Sequence, residues 1–253
     1  MLFEAHRGVS TEYPENTMPA YIAALEEGYD YIEADPDFTK DGVLVMFHDW
    51  PDIRRTCRHR NGTEIEEKIA IRDLTFDEAR ELDAGIFMGE KFGGTKIPTF
   101  KELLAFSKGN NIPIKIDNRM QTFSDEICEK LFSEIEESGA HVGFTSSELE
   151  FIKKIIARFP DAEIHYDGVV SEDTLKRVRE AVGENELYVW ISLDTPITKW
   201  VKVPHASEEL CSLIKKYAKL GIWILHTDEE LEEAIGYGAD MIETTGGVKP
   251  RKI

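Results

Sequence analysis

Two acidic residues and a histidine in one short segment have the side-chain types and the spacing to bind a metal ion and to move protons. Glu33 and Asp35 lie two residues apart in a predicted strand, so their side chains point to the same face. The pair Asp41-Gly42 predicts a two-residue hairpin turn of type I′. In that register His48 lies opposite Asp35, with the two Cβ atoms roughly 5 Å apart. The segment therefore predicts one site that holds two carboxylates and an imidazole.

These carboxylates predict a metal ion rather than a solvated strand end. Either acidic residue alone is easily explained as an exposed side chain at a strand end. Burying Glu33 beside Asp35, however, costs several kcal/mol unless a cation neutralises them. Asp117 follows the apolar strand 112–116 and would supply a third oxygen ligand, although an acidic residue there could also cap a turn. Because all three ligands are oxygens, we expect a divalent cation, either Mg²⁺ or Ca²⁺.

Two histidines are the predicted acid and base. His6 and Arg7 follow the short apolar strand 2–5, and His48 follows the predicted hairpin. Two imidazoles near a cation suit proton transfer, because the unperturbed pKa of histidine is about 6.5. Arg119 and His226 also follow predicted strands, so their positions alone make them candidates.

Composition limits the class of protein. The chain has 253 residues, 42% of them hydrophobic, and this length fits one large α/β domain. A net charge of −19 argues against a nucleic-acid partner. The first residues lack the features of a signal peptide and no run of about 20 apolar residues occurs, so we expect a cytoplasmic protein without a membrane span. Cys57, Cys128 and Cys211 form no zinc or disulfide pattern.

Regular alternation predicts the fold. Eight strands alternate with helices, which indicates a (β/α)₈ TIM barrel with its chemistry at the carboxyl ends of the strands. The polar, glycine-containing stretch 51–98 is predicted to be a small insertion after the second strand. A doubly wound open sheet is the alternative, but no glycine-rich nucleotide motif follows a strand.

Several other residues carry weaker signals. The arginines at 54, 55, 58 and 60 are either a solvated face or a site for a second anionic group. Trp190, Trp200 and Trp223 either pack in the core or wall a pocket.

The assembled motifs resemble the glycerophosphodiester phosphodiesterase family. The resemblance is carried by AHRG at 5–8, PENT at 14–17, IEADPDFTKDGVLVMFHD at 32–49, DLT at 73–75, IPTFKELL at 97–104 and IDNR at 116–119. It implies a PLC-like phosphodiesterase barrel that hydrolyses glycerophosphodiesters, small-molecule substrates, to an alcohol and glycerol 3-phosphate.

The resemblance also implies roles for individual residues. Glu33, Asp35 and Asp117 would hold the divalent ion, and His6 and His48 would be the catalytic acid and base. Arg7 would bind phosphate. Asp117 and Arg119 stand where the family usually has Glu and Lys, and Trp223 opens a strand whose later residues differ from the family pattern. We assign Arg119 and Trp223 to substrate binding.

Two alternative functions are also compatible with these residues. One is a catalytically weak barrel that binds a phosphodiester or a sugar phosphate as a sensor. The other is a lyase-like relative, resembling the sphingomyelinase D toxins, that releases a cyclic phosphate. The leaving alcohol and the oligomeric state are left open by the sequence.

Overall fold

Eight parallel strands form a closed barrel in the computed structural model, which describes residues 1–193 and 204–252. In their order around the barrel the strands are β1 Leu2–Ala5, β2 Tyr31–Ala34, β5 Ile114–Ile116, β6 Val142–Ser146, β7 Glu163–Tyr166, β8 Leu187–Ser192, β9 Lys219–Leu225 and β10 Met241–Thr244. Pairing of β10 with β1 closes the barrel. The predicted (β/α)₈ fold is confirmed.

Helices connect the strands and cover the outside of the barrel. They are α1 Met18–Glu26, α2 Phe76–Glu81, α3 Phe100–Asn110, α4 Asp125–Ser138, α5 Leu149–Arg158, α6 Glu172–Val182, α7 Glu208–Ile214 and α8 Asp228–Gly236. Six of these begin after a serine or threonine whose hydroxyl accepts a backbone N–H of the first turn, namely α2, α3, α4, α6, α7 and α8. These caps fix where each helix begins and therefore where the preceding loop lies.

The hairpin after β2 has a different register from the one predicted. Strands β3 Pro36–Phe38 and β4 Leu44–Met46 pair antiparallel, and the backbone N–H of Phe47 donates to the carbonyl of Asp35 at 2.9 Å. Asp35 therefore lies opposite Phe47, and the predicted pairing of Asp35 with His48 is wrong.

The length of the turn causes this shift. The backbone N–H of Thr39 donates to the carbonyl of Val43 at 3.0 Å, which leaves three residues in the loop. Gly42 has a φ of +75°, whereas Asp41 does not have the positive φ that a type I′ turn requires. Asp41 instead accepts hydrogen bonds from the Thr39 hydroxyl at 2.6 Å and the Phe76 backbone at 2.9 Å.

The segment between β4 and α3 has an apolar cluster of its own. This segment contains α2 and four short 3₁₀ helices, Ile53–Arg55, Ile71–Asp73, Ile86–Met88 and Glu90–Phe92. The buried residues of its apolar cluster include Ile53, Cys57, Ile71, Ala79 and Ile97. Within the described ranges, no helix has the length and apolar character needed to cross a membrane.

One predicted boundary is wrong near the end of the chain. The apolar pattern of the sequence predicts a helix over 206–219, but α7 ends at Ile214 and β9 already begins at Lys219. Residues Lys219 and Leu220 pair with Tyr188 and Val189 of β8, so tertiary pairing extends the strand into a segment of helical pattern. Trp200 lies outside the described residues.

Charged side chains occupy part of the barrel interior. Barrel interiors of this kind are usually filled by branched apolar residues. Here Lys115 forms ion pairs with Glu4, at 2.6 Å, and with Glu243, and its ammonium group lies 3.8 Å from the centre of the Trp190 ring. These charges lie directly below the carboxyl ends of the strands, where the predicted site residues are found.

Candidate active site at the carboxyl ends of the barrel strands

Three carboxylates converge where β2 and β5 end. Glu33 is on β2, Asp35 follows that strand, and Asp117 follows β5. One oxygen from each lies within 4.8 Å of the others, and Glu33 and Asp35 are 4% and 2% exposed. The structure therefore brings together the three residues predicted to be metal ligands.

The protein itself neutralises only part of this negative charge. Burial, followed by the charge of Asp35, raises the pKa of Glu33 well above its usual value. Burial also favours the neutral form of Asp35, but the charges of Arg7 and His48 and the hydrogen bond from Asn16 together outweigh it and lower the pKa of that carboxyl. A divalent cation would remove the repulsion that remains, and the oxygen donors fit Mg²⁺ or Ca²⁺.

His6 and Arg7 lie in a tight turn after β1. Arg7 and Gly8 have φ values of +57° and +77°, and a Cβ on Gly8 would lie 2.6 Å from the backbone of Ala20. Glycine thus allows the turn to pack against α1. In this turn the backbone N–H of Arg7 donates to Glu33 at 3.0 Å, which ties the histidine segment to the carboxylates.

The two histidines differ in their surroundings. Burial lowers the pKa of His6 to about 4, and its Nε2 lies 3.8 Å from a carboxylate oxygen of Glu243. His48 is more exposed, and its Nδ1 lies 2.7 Å from Asp49. The Asp49 carboxylate also binds Arg55, so its position beside the His48 ring is fixed by a second contact.

Both histidines and all three carboxylates line one cavity of about 490 Å³ at the mouth of the barrel. Arg7 and Trp223 line it as well. The Arg7 guanidinium bridges Asp35, at 3.2 Å, and Glu15, at 3.0 Å.

Arg119 is placed differently from the other predicted substrate-binding residues. Its guanidinium donates to Asp37 at 3.0 Å and to the carbonyl of Phe47 at 3.1 Å, and it lines a neighbouring pocket together with His48. Its contacts therefore connect the hairpin to the segment after β5.

Trp190 lines the cavity, whereas His226 and the arginines of the basic run lie away from its lining. The backbone N–H of His226 donates to Glu230 at 2.5 Å, next to the start of α8. Each arginine of the basic run binds a group of the protein: Arg54 binds Asp52, Arg55 binds Asp49, Arg58 binds backbone carbonyls and Arg60 binds Glu81.

Comparison with known proteins shows the family of this chain. Residues 6–225 match the model of the glycerophosphoryl diester phosphodiesterase family. The chain belongs to this family. A glycerophosphodiester phosphodiesterase of Caldanaerobacter subterraneus subsp. tengcongensis is 32% identical over 247 residues, which cover 95% of this chain and 92% of that protein. The resemblance seen in the motifs is confirmed, and the chain is a glycerophosphodiester phosphodiesterase.

Solved structures share the family fold. A putative glycerophosphoryl diester phosphodiesterase of Silicibacter pomeroyi has a TM-score of 0.78 at 18% identity, covering 97% of this chain and 90% of that one. A phosphodiesterase of Oleispira antarctica, solved in complex with the product sn-glycerol-3-phosphate, has a TM-score of 0.71 at 19% identity, covering 98% and 94% of the two chains.

Sequence reasoning missed several residues of this phosphodiesterase cavity. They are Lys115, Asn118, Thr145, Asp167 and Glu243. A signal for two of them was present, because Lys115 lies between two isoleucines in β5 and Glu243 is the single charged residue of the short strand β10. Such a residue in a buried parallel strand points into the barrel or needs a partner. Asp167 gave no such signal, since the run Tyr166-Asp167-Gly168 reads as an ordinary turn.

Proposed function

We propose that the chain hydrolyses glycerophosphodiesters to an alcohol and glycerol 3-phosphate in a metal-dependent reaction, with His6 and His48 transferring the protons. The observation that carries this proposal is the single cavity that both histidines share with the three convergent carboxylates. The product bound to the Oleispira antarctica phosphodiesterase supports the same product here.

Glu33, Asp35 and Asp117 would hold the cation. When bound, Mg²⁺ or Ca²⁺ supplies Lewis-acid stabilisation of the phosphoryl oxygens. Arg7 would position the phosphate, because its guanidinium is already fixed by Asp35 and Glu15.

His6 is the proposed base and His48 the proposed acid. The lowered pKa of His6 leaves its ring unprotonated at neutral pH, so it can accept a proton from the attacking hydroxyl. Asp49 orients His48 by accepting its Nδ1–H, which leaves Nε2 to protonate the oxygen of the leaving alcohol.

We propose that the attacking group is the hydroxyl of the glycerol moiety next to the phosphate. Its oxygen bonds to phosphorus as His6 takes its proton, and the bond to the alcohol oxygen breaks as that oxygen receives a proton from His48. A cyclic phosphate results. Water then opens the ring with the two histidines in reversed roles, which restores both protonation states.

The pH dependence of kcat/KM tests the assignment of His6. Because burial lowers the pKa of His6 to about 4, protonation removes the base only below about pH 5. We expect the rate to stay near its plateau from pH 7 to about pH 5 at saturating metal, and to fall below about pH 5. His6→Gln should lose most activity and lack the acidic limb that the wild type shows.

The control for this profile is circular dichroism at each pH, because His6 also affects stability. Between its unfolded pKa of about 6.5 and its folded value of about 4, the unfolded chain binds more protons, so stability decreases as the pH falls through this window. An acidic limb centred near pH 6.5, with the protein folded and the metal saturating, would refute the role of His6 as the base.

A further inference from the structure

The cavity has a second polar wall, formed by the ends of β6 and β7, that the proposed chemistry does not use. Thr145 is on β6 in register with His165 of β7, and Asp167 follows β7 two residues after His165. Both line the cavity. Inward-pointing side chains alternate along a strand, so Thr145 and Asp167 project from neighbouring strands at successive levels of the barrel.

Each of these two residues has a buried polar atom without a partner. Within residues 1–193 and 204–252, neither the hydroxyl oxygen of Thr145 nor Oδ1 of Asp167 has a hydrogen-bond partner. Thr145 is 5% exposed. The other carboxylate oxygen of Asp167 accepts from the side-chain amide of Asn118. Because unpartnered buried polar atoms are rare and costly, this pair indicates a place that a polar ligand completes.

The charges around the cavity restrict what this ligand is. The arginine and the lysine that line it contact carboxylates outside this wall, Arg7 those of Asp35 and Glu15, and Lys115 those of Glu4 and Glu243. The wall therefore offers a carboxylate acceptor and a hydroxyl, and it does not attract phosphate. A neutral hydroxyl group suits both atoms, because it can donate to Asp167 while accepting from Thr145.

We infer that Thr145 and Asp167 bind the terminal hydroxyl of the glycerol moiety, and so select glycerol phosphodiesters over simple alkyl phosphodiesters. This inference rests on the proposed function, which places the phosphate near Arg7 and the three carboxylates. The strand that carries Asp167 is two strands away from the one that carries Asp117, a distance of roughly 10 Å. The hydroxyl farthest from the phosphate is the group that extends toward this wall.

Asp167→Asn changes the hydrogen-bonding groups of this wall and keeps the size of the side chain. Asn118 donates to Oδ2 of Asp167, so the amide oxygen of an asparagine would take that bond and its NH₂ would face the cavity. A donor then replaces an acceptor at the proposed hydroxyl position. Thr145→Val removes the second partner and keeps the branched shape of the side chain.

Calorimetric binding to the metal-saturated protein tests the inference. The two ligands are sn-glycerol 3-phosphate and 2-hydroxypropyl phosphate, which lacks only the terminal hydroxyl. We expect wild type to bind the first about tenfold more tightly, and Asp167→Asn to remove most of that preference while changing the affinity for the second by less than about twofold. Thr145→Val should reduce the preference in the same direction. The matched control is Asp161→Asn, an exposed acidic residue just before β7, which should change neither affinity.

Two results would overturn the inference. One is an equal loss of affinity for both ligands in Asp167→Asn, which would assign this residue a general role in the cavity. The other comes from phosphoethanolamine as a third ligand: a loss of its affinity in Asp167→Asn, with no loss for glycerol 3-phosphate, would assign Asp167 to binding a cationic alcohol. Failure of the proposed function is distinguishable from both, because wild type would then hydrolyse no glycerophosphodiester whatever its binding preference.

Discussion

Glu33→Gln is expected to lower kcat/KM by at least about 10³, equivalent to about 4 kcal/mol of transition-state stabilisation, and to leave the fold intact. The variant keeps the size of the side chain and removes one of the three convergent negative charges. Because burial and Asp35 raise the pKa of Glu33, its charge is unfavourable in the metal-free protein. The metal-free variant should therefore have a Tm at least equal to that of the metal-free wild type.

Thermal unfolding with and without metal separates this role from a structural one. Saturating Mg²⁺ or Ca²⁺ should raise the Tm of wild type by mass action and should raise that of Glu33→Gln much less. Glu26→Gln, at an exposed position of α1, is the matched control and should retain the full shift. Near-normal turnover in Glu33→Gln would contradict the metal assignment. Asp35→Asn should also lose turnover, but it removes the partner of Arg7 and is therefore expected to lower stability as well.

A substrate analogue in which hydrogen replaces the hydroxyl next to the phosphate is expected to bind with little loss and to turn over at least about 10³-fold more slowly. The reason is that a tethered hydroxyl gains effective molarities of about 10⁵ M or more over a free nucleophile. The described lining of the cavity contains no cysteine, Lys115 is held by two carboxylates, and the Ser147 hydroxyl contacts the amide of Gln121 instead of a base.

The matched control for this analogue lacks the terminal hydroxyl instead. It keeps the attacking group, so it should bind more weakly because Thr145 and Asp167 lose their ligand, yet retain kcat within about tenfold of the parent. Hydrolysis of the first analogue within about tenfold of the parent, a difference of about 1.4 kcal/mol in barrier, would show that water attacks phosphorus directly.

The sequence predicted the first half of the site because strand periodicity and short motifs carry it. Glu33 and Asp35 lie on the same face of a strand because they are two residues apart. His6 follows a strand that the apolar pattern predicts. The spacing of residues along one strand fixes which of them share a face, wherever the strand lies in the fold. The barrel fold followed from eight repeats of the same alternation, which a single wrong boundary at α7 does not disturb.

The remaining features depend on long-range pairing that one sequence does not encode locally. The hairpin register shifted by one residue because its turn has three residues, and within this turn Asp41 binds Phe76, which is 35 positions away. The ion pairs of Lys115 with Glu4 and Glu243 join three strands. Because both faces of a parallel barrel strand are buried, the periodic pattern of the sequence does not show which of these residues point into the barrel. Arg119 was assigned to substrate on its position after a strand, whereas its contact with Asp37 depends on where the hairpin lies.

Phosphorus NMR of a glycerophosphodiester incubated with the protein tests the central claim most directly. After removal of metal with a chelator, the substrate signal should persist unchanged. Addition of Mg²⁺ or Ca²⁺ should convert it to glycerol 3-phosphate, with a cyclic phosphate as a transient signal. Conversion at an equal rate in the chelated protein would contradict metal dependence, and a cyclic phosphate that accumulates as the final product would show a lyase instead of a hydrolase.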